Sequence, residues 1–369
     1  MATVIIHKAE YQYEQIKPLV FDLIEKLAGE KIKSGSRVLI KPNMLSAARP
    51  EDAVLTHPLI IKAAVEYVLQ KGARPRVSDS PAIGSFENIL KQNGTANALQ
   101  GLPVVCVPFK DTVSVDIGKP YGCIEMARDA VEADVIINLP KLKTHSQMLL
   151  TLAVKNMFGC IVGFKKPQWH MRAGADTMAF ARLLVAIHQA VAPAVSILDG
   201  ILAMEGDGPG KGGRPRKVGV LAGSDNSFAL DRVVCEMVGV NYENVPTMKI
   251  ARDERLIPSF NIDGTLPQVS GFQLPEGSRL IYGPKVMQSF LRRHMLASPV
   301  CEPSLCRMCE KCWTICPAEA IRDAKDKIEF DYDKCIRCYC CVEVCPFGAL
   351  RSKETPGGRI VRRFIDAFS

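Results

Sequence analysis

The strongest constraint on this chain is a run of cysteines near its C-terminal end that occurs twice. Each copy reads C-x-x-C-x-x-C-x-x-x-C, is followed by proline, and begins 29 residues from its counterpart. The residues after the runs also match, because Cys-Pro-Ala-Glu-Ala-Ile is echoed by Cys-Pro-Phe-Gly-Ala-Leu. This spacing is typical of thiolates that bind iron–sulfur clusters.

In two-cluster proteins with this pattern, three cysteines of one run and the last cysteine of the other bind each cubane. We therefore predict two 4Fe-4S clusters. The first is expected on Cys306, Cys309, Cys312 and Cys345, and the second on Cys335, Cys338, Cys341 and Cys316. The remaining six cysteines fall outside the repeat and are predicted not to be ligands.

Composition and charge restrict the expected cellular location of the protein and the kind of partner that it binds. The first residues lack the pattern of a signal peptide and no apolar run approaches the length of a membrane helix, so we expect a cytoplasmic protein with no membrane span. Fourteen cysteines in a reducing compartment favour metal over disulfides. The net charge of +8 suggests an anionic partner, but no basic motif interleaved with aromatics indicates nucleic acid.

The first 295 residues alternate apolar runs of strand and helix length, which predicts an α/β domain with a largely parallel sheet and helices on both faces. Residues 257–295, rich in proline and glycine, are expected to be an irregular connection. Residues 296–350 are predicted to form a small α+β ferredoxin-like dicluster domain, and residues 351–369 a basic tail. The predicted helices include Tyr13–Leu27, Pro58–Leu69, Tyr121–Val131, Ser227–Val238 and one capped by Asp176 or Thr177, and the predicted strands include residues 37–40, 76–79, 103–107, 134–139, 194–198 and 218–221.

Polar side chains follow four of the predicted strands at the point where each strand ends. Open parallel sheets bind ligands in the crevice beyond the carboxyl ends of their strands, so we expect these side chains to converge. Clustered lysines there would hold an anionic substrate or cofactor. The residues concerned are Lys41, Asn43, Asp79, Lys141, Lys143, His145, Lys155, Asp199 and Glu205.

Individual roles follow from side-chain chemistry. His145, in a predicted loop after a strand, is a candidate proton donor near neutral pH. Asp79 and Asp199 are candidates either to cap helices or to bind a cation, which leaves a further anionic or metal cofactor open. The loop from Gly206 to Gly213 lacks the spacing of a phosphate-binding loop and is predicted to cover the crevice or to be a plain surface loop.

These motifs together resemble the domain of unknown function 362, in the form fused to a two-cluster ferredoxin module. The most specific segment is Asn138-Leu-Pro-Lys-Leu-Lys-Thr-His145, and the resemblance also covers Lys41-Pro-Asn43, Ser78–Pro81, Lys155-Asn156, Asp199-Gly200 and Asp231. The resemblance implies that the lysines share one site with Asn43 and Asn156. It implies no reaction, because the activity of that family is open.

The leading hypothesis is an iron–sulfur oxidoreductase, a reductase that passes low-potential electrons from the two clusters to an anionic small molecule in the crevice. Lys141, Lys143 and His145 are its predicted catalytic residues, and a protein of ferredoxin or flavodoxin type, or another redox enzyme, is its expected partner. The alternative is a non-catalytic electron-transfer or cofactor-assembly protein that docks onto a larger redox enzyme. A third reading makes the clusters structural or oxygen-sensing.

Overall fold

A computed structural model describes residues 1–163, 165–174, 176–275, 297–325, 327–353 and 355. The strands are β1 (Ala2–Lys8), β2 (Arg37–Pro42), β3 (Arg74–Val77), β4 (Val105–Cys106), β5 (Thr112–Asp116), β6 (Cys123–Ala127), β7 (Val135–Leu139), β8 (Lys141–His145), β9 (Leu149–Thr151), β10 (Val195–Gly206), β11 (Gly213–Ser224), β12 (Phe260–Asp263), β13 (Ser298–Cys301), β14 (Ile321–Asp323), β15 (Ile328–Phe330) and β16 (Leu350–Lys353). The helices are α1 (Tyr13–Ala28), α2 (Pro58–Gln70), α3 (Phe86–Asn93), α4 (Thr95–Ala98), α5 (Arg128–Val131), α6 (Ala153–Asn156), α7 (Lys165–Ala173), α8 (Thr177–Val191), α9 (Ser227–Met237), α10 (Pro246–Asp253), α11 (Lys311–Thr314) and α12 (Cys340–Val344).

The large sheet has the order β12-β1-β11-β10-β7-β2-β3-β4, with β8 and β9 added beside the far half of β10. All of its pairs are parallel except β1–β11, β10–β11 and β8–β9. Side chains alternate between the two faces, so that Val38 and Ile40 pack with α1 and α2 while Leu39 packs with α8. The chain therefore contains an α/β domain with a mostly parallel sheet and apolar cores on both faces.

The long amphipathic elements agree with the sequence. Helices were predicted from Tyr13 and from Pro58 and begin at those residues, and the side chain of Asp176 caps α8 as expected. The predicted helix over Tyr121–Val131 is wrong. Ile124 and Met126 point into the core from strand β6, which pairs with β5, and only the short α5 follows.

The segment after β7 was expected to be a loop and is instead strand β8. Pro140 interrupts the strand, Asp199 N donates to Pro140 O at 2.9 Å, and β8 then continues along β10. For the same reason Asp199 and Glu205 lie within β10 rather than in a loop after it. Because every second residue of a strand shares a face, Lys141, Lys143 and His145 project from one side of β8.

The C-terminal described residues form a second, smaller unit. Two antiparallel pairs, β13–β16 and β14–β15, enclose a small core that includes Tyr339, Val342 and Leu350. Within the connection predicted to be irregular, Phe260–Asp263 forms β12, a parallel edge strand beside β1. Residues 276–296 and most of the predicted basic tail lie outside the described residues. Among the described residues, no helix has the length and apolar character needed to span a membrane.

Candidate functional site: a cavity between the lysine-bearing sheet and the cysteine repeat

The two copies of the cysteine repeat fold with matching backbone conformations. The second residue after the first cysteine of each copy has positive φ, at Met308 (45°) and Arg337 (55°), and so does the fourth, at Glu310 (67°) and Tyr339 (58°). Four residues after the last cysteine, the backbone N–H of Ala320 donates to Cys316 Sγ at 3.3 Å and that of Ala349 donates to Cys345 Sγ at 3.2 Å. These turns wrap the chain around the thiols and provide donors that stabilise thiolate sulfur.

Nine cysteines line two separate small voids: the eight predicted ligands and Cys340, which lies at the second void. The first void is lined by Cys306, Cys309, Cys312 and Cys345, and the second by Cys316, Cys335, Cys338 and Cys341. Each set combines three cysteines of one run with the last cysteine of the other, and the backbone donors described above reach one sulfur in each set. The donor chemistry of both sets fits a cubane cluster, for which four thiolates are the usual protein ligands.

A much larger cavity of about 530 Å³ separates the sheet from the cysteine repeat. On the sheet side it is lined by residues after β2, after β3 and on α6 and α7, and on the other side by residues of α11 and α12. Cys309 lines both this cavity and the first void, and Cys340 lines both this cavity and the second void. The charged and polar side chains in its wall include Lys41, Asn43, Asp79, Ser80, Lys155, Asn156, Lys166, His170, Glu310, Lys311 and Glu343.

The structure thus brings five of the sequence-predicted residues into one wall: Lys41, Asn43, Asp79, Lys155 and Asn156. Lys41 is completely buried, and its Nζ lies 2.8 Å from Asp79 Oδ1. Gly159 allows this pair to lie against the backbone, because a Cβ there would be 2.5 Å from Lys41 Nζ and closer still to Asp79. The pair is neutral overall, so it fixes the shape of the wall without adding net charge.

A series of hydrogen bonds between amide side chains stabilises one part of the cavity wall. Lys143 Nζ donates to Asn43 Oδ1 at 2.8 Å, Asn43 Nδ2 donates to Asn156 Oδ1 at 2.8 Å, and Asn156 Nδ2 donates to Asn138 Oδ1 at 2.7 Å. Lys143 lies behind this wall and also donates to the Val54 carbonyl at 2.8 Å. Burial without a carboxylate partner lowers the pKa of Lys143 to about 7.

Lys141 and Asp199 lie apart from the cavity, in a closed network. Lys141 Nζ donates to Asp199 Oδ2 at 2.8 Å and to Tyr11 Oη at 2.9 Å, and Tyr11 Oη donates to Asp199 Oδ1 at 2.6 Å. The ring of His57 stacks on Tyr11 with centroids 3.7 Å apart, and its backbone N–H donates to Asp199 Oδ2 at 3.0 Å. Glu205 is also outside the cavity wall and accepts a hydrogen bond from Gln273 N at 3.1 Å.

His145 joins the two units rather than facing the cavity. Its Nδ1 accepts hydrogen bonds from the backbone N–H groups of Gln147 and Met148 at 3.1 and 3.2 Å, which leaves the ring proton on Nε2. Nε2 lies 2.8 Å from Glu343 Oε1 of α12. Burial lowers the pKa of His145 to about 4, so the ring is neutral at pH 7.

The loop between β10 and β11 contacts the smaller unit and does not line the cavity. A Cβ at Gly210 would lie 2.7 Å from the Glu343 carbonyl oxygen, and one at Gly348 would lie 2.8 Å from the Lys211 carbonyl oxygen. Ser352 Oγ donates to Asp207 Oδ1 at 3.4 Å. The glycines therefore permit close backbone packing between the loop and the cysteine-bearing unit.

Several charged or polar residues of the cavity wall were not assigned to the site from the sequence, and Lys166, His170 and Glu343 are among them. Lys166 and His170 lie one turn apart on α7, and Glu343 lies between two cysteines of the repeat. For His170 the sequence offered only its position beside Trp169. Lys166 and Glu343 become recognisable only when the fold places α7 and α12 on opposite sides of one cavity.

Comparisons with known proteins agree with the two units. Residues 38–236 match the model of a domain of unknown function, DUF362, and residues 328–351 match a 4Fe-4S binding domain. The thylakoid-associated protein sll1697 of Synechocystis is 39% identical over 254 residues, which cover 68% of this chain and 78% of that protein.

Two further similarities are more limited. NADH-quinone oxidoreductase subunit I of Pelobacter propionicus is 37% identical over 78 residues, which cover 17% of this chain and 42% of that subunit. The structure of the lactate racemase apoprotein from Thermoanaerobacterium thermosaccharolyticum matches with a TM-score of 0.36 and 12% identity, over 61% of this chain and 54% of that one. This chain thus spans less than half of the first protein and about half of the second.

Proposed function

The chain belongs to the DUF362 family and carries a 4Fe-4S binding domain suited to iron–sulfur electron transfer, and on that premise we propose that it is an iron–sulfur reductase of an anionic small molecule. Two 4Fe-4S clusters supply one-electron transfer when bound. The observation that carries the proposal is the position of Cys309, which lines both a thiol-ringed void and the cavity on whose opposite side lysines lie.

In this proposal, different residues bind the ligand, shape the cavity wall and support that wall from behind. Lys155 and Lys166 hold the negative charge of the ligand, and the Lys41–Asp79 pair and the amides of Asn43 and Asn156 fix the wall around it. Lys143 supports that wall from behind, and Lys141 with Asp199 holds β8 and β10 together. His145 positions Glu343 and with it helix α12. A donor protein of ferredoxin or flavodoxin type delivers electrons to the cysteine-bearing unit.

The ligand sets are tested by iron analysis of anaerobically purified protein. We expect about eight iron atoms per chain, and about four after Cys312→Ser or Cys345→Ser, which remove the first cluster, or after Cys316→Ser or Cys341→Ser, which remove the second. Cys301→Ser and Cys235→Ser serve as controls and should retain about eight. Retention of eight iron atoms in any of the four ligand variants would overturn the pairing.

Turnover is tested by reducing the cluster-loaded chain, removing the reductant and mixing it with candidate anions while cluster absorbance is recorded. We expect reoxidation by a fitting anion at least tenfold faster than by buffer, and slowed at least tenfold in Lys155→Met. Lys165→Met is the control for loss of a lysine near the cavity, because Lys165 lies on α7 next to Lys166 but pairs with Glu125 and does not line the cavity. Reoxidation at the buffer rate by every anion would count against a reductase.

A second candidate is a non-catalytic carrier or assembly protein that docks onto a larger redox enzyme. The similarity to a subunit of NADH-quinone oxidoreductase favours it, since that relative is named as part of a complex. It predicts partner binding that weakens steeply with salt and is unchanged in Lys155→Met. The name of the Synechocystis relative also leaves the predicted cytoplasmic location open, because that protein is described as thylakoid-associated.

A further inference from the structure

Three of the four lysines in the wall of the large cavity, Lys155, Lys166 and Lys311, have no carboxylate partner among the described residues. Lys155 and Lys166 lie on the side of the sheet, and Lys311 lies on the side of the cysteine repeat. Lys155 makes no side-chain hydrogen bond or ion pair with the described residues, although it lines the cavity on α6. Lys166 donates to the Ser80 carbonyl and has no carboxylate within ion-pair distance in the described part of the chain. Both side chains are half-buried, and an ammonium group partly removed from water is costly without an anion. These two lysines therefore mark the place where the wall is incomplete.

Both lysines are held in position by the fold. Asp231 accepts hydrogen bonds from the backbone N–H groups of Ala153 and Val154, at 2.8 and 3.0 Å, and so fixes the start of α6. Lys166 lies in the first turn of α7, and Gly163 N just before it donates to Ser80 Oγ at 2.9 Å. The two lysines therefore lie on short helices next to backbone groups that are hydrogen-bonded to Asp231 and Ser80.

His170 provides an independent sign of a missing partner. It is 5% exposed, lines the cavity, and its Nδ1 has no hydrogen-bond partner in the described structure. Its ring stacks against Phe180 with centroids 4.1 Å apart, so the orphaned nitrogen cannot turn to solvent without losing that contact. His170 therefore adds an unpartnered polar side chain to this part of the wall, with the Nδ1 atom itself shielded from the cavity.

The charge and the walls of the cavity restrict the ligand. Four lysines and three carboxylates line it, and the Lys41–Asp79 pair cancels internally. These side chains therefore carry one excess positive charge, counted without the Cys309 thiol at the edge of the cavity. The rest of the lining is largely apolar and includes Met44, Leu45, Pro81, Ile83, Phe158 and Ile315. One negative charge and an apolar body would complement these features, whereas a phosphate dianion would leave a net negative charge.

We propose that the cavity binds a monocarboxylate with an apolar body, whose carboxylate is held by Lys155 and Lys166 and whose body lies against the apolar wall. This assignment rests on the proposed function, since it names the class of anion that the reductase would take. A cavity of about 530 Å³ is within the usual range for small-molecule sites. The binding step itself involves no electron transfer and is measurable by itself.

The test is calorimetric titration of the full, cluster-loaded, oxidised chain with hexanoate and benzoate, and with hexanol, benzyl alcohol and inorganic phosphate for comparison. We expect a carboxylate to bind at least tenfold more tightly than its alcohol, because charge-assisted hydrogen bonds are the strong ones. Lys155→Met and Lys166→Met should each weaken carboxylate binding at least tenfold and leave alcohol binding unchanged. Lys165→Met should change neither.

Alcohol binding and cluster absorbance show whether each variant is folded. The inference is overturned if neither carboxylate binds, if phosphate binds more tightly than both, or if the Lys155→Met and Lys166→Met variants bind carboxylates as the parent does. Its failure is distinct from failure of the reductase. Carboxylates that bind but never reoxidise reduced clusters would refute the reductase alone, and reoxidation by another class of anion would refute the monocarboxylate alone.

Discussion

Two sets of lysines in the α/β domain are not distinguished by the sequence, and they differ in their surroundings. Lys141 lies in a closed network in which Asp199 and Tyr11 accept its hydrogen bonds. Lys155 and Lys166 face a cavity and have no carboxylate partner among the described residues. Burial of a cation therefore does not by itself mark a binding site, whereas a lysine that lines a cavity and has no carboxylate partner does.

The closed network predicts the largest loss of stability. Lys141→Met would leave Asp199 buried with only neutral donors, and removal of one member of a buried ion pair typically costs about 3–5 kcal/mol. We expect a loss of that size in the free energy of unfolding, measured by denaturant titration of the cluster-loaded chain. Carboxylate binding by the fraction that remains folded should be unchanged, because Lys141 does not line the cavity.

The matched control is the double variant Lys141→Met with Asp199→Asn, which removes both charges and should recover most of the loss. If the single variant lost less than about 1 kcal/mol of unfolding free energy, Lys141 would not have the structural role proposed for it.

The Lys41–Asp79 pair shares one feature with each set of lysines. Its two charges neutralise each other, as in the Lys141 network, and both side chains line the cavity, as Lys155 and Lys166 do. Gly159→Ala would force a Cβ into both side chains, and overpacking of this kind costs about 1–3 kcal/mol. We expect that loss together with weaker carboxylate binding, because the displaced pair forms part of the wall. In a Lys41→Ala, Asp79→Ala background, which removes the atoms that the new Cβ would meet, the same change should cost less. An equal cost there would show that the clash lies elsewhere.

The sequence predicted the parts of this comparison that depend on local pattern. The thiol sets follow from spacing alone, and the helix over Tyr13–Ala28 from apolar periodicity. The alternation in Lys-Leu-Lys-Thr-His is compatible with strand β8, but the segment was predicted to be a loop after the preceding strand. Sequence spacing did not distinguish Lys141 from Lys155. Lys141 pairs with Asp199 and Lys155 lines the cavity, and these surroundings are formed by other parts of the chain.

The smallest expected effect concerns pH and separates the two sets without a ligand. Burial lowers the pKa of Lys166 to about 8, and the unfolded chain has the ordinary value near 10.5. Between these values the unfolded state binds more protons than the folded state, so this lysine makes stability rise as pH rises from about 8 to 10 and lose that gain as pH falls.

We therefore expect Lys166→Met to reduce the slope of unfolding free energy against pH in this window by at most about 1 kcal/mol per pH unit, since water in the cavity screens the group. Denaturant titrations at pH 8, 9 and 10 measure it, and Lys165→Met should keep the parent slope. A saturating carboxylate should flatten the parent slope as well, because an anion beside Lys166 raises its pKa toward the unfolded value. If neither the substitution nor the carboxylate changed the slope, Lys166 would already be neutralised by a partner in the protein. The proposed difference between Lys141, which has a carboxylate partner, and Lys166, which has none, would then be wrong.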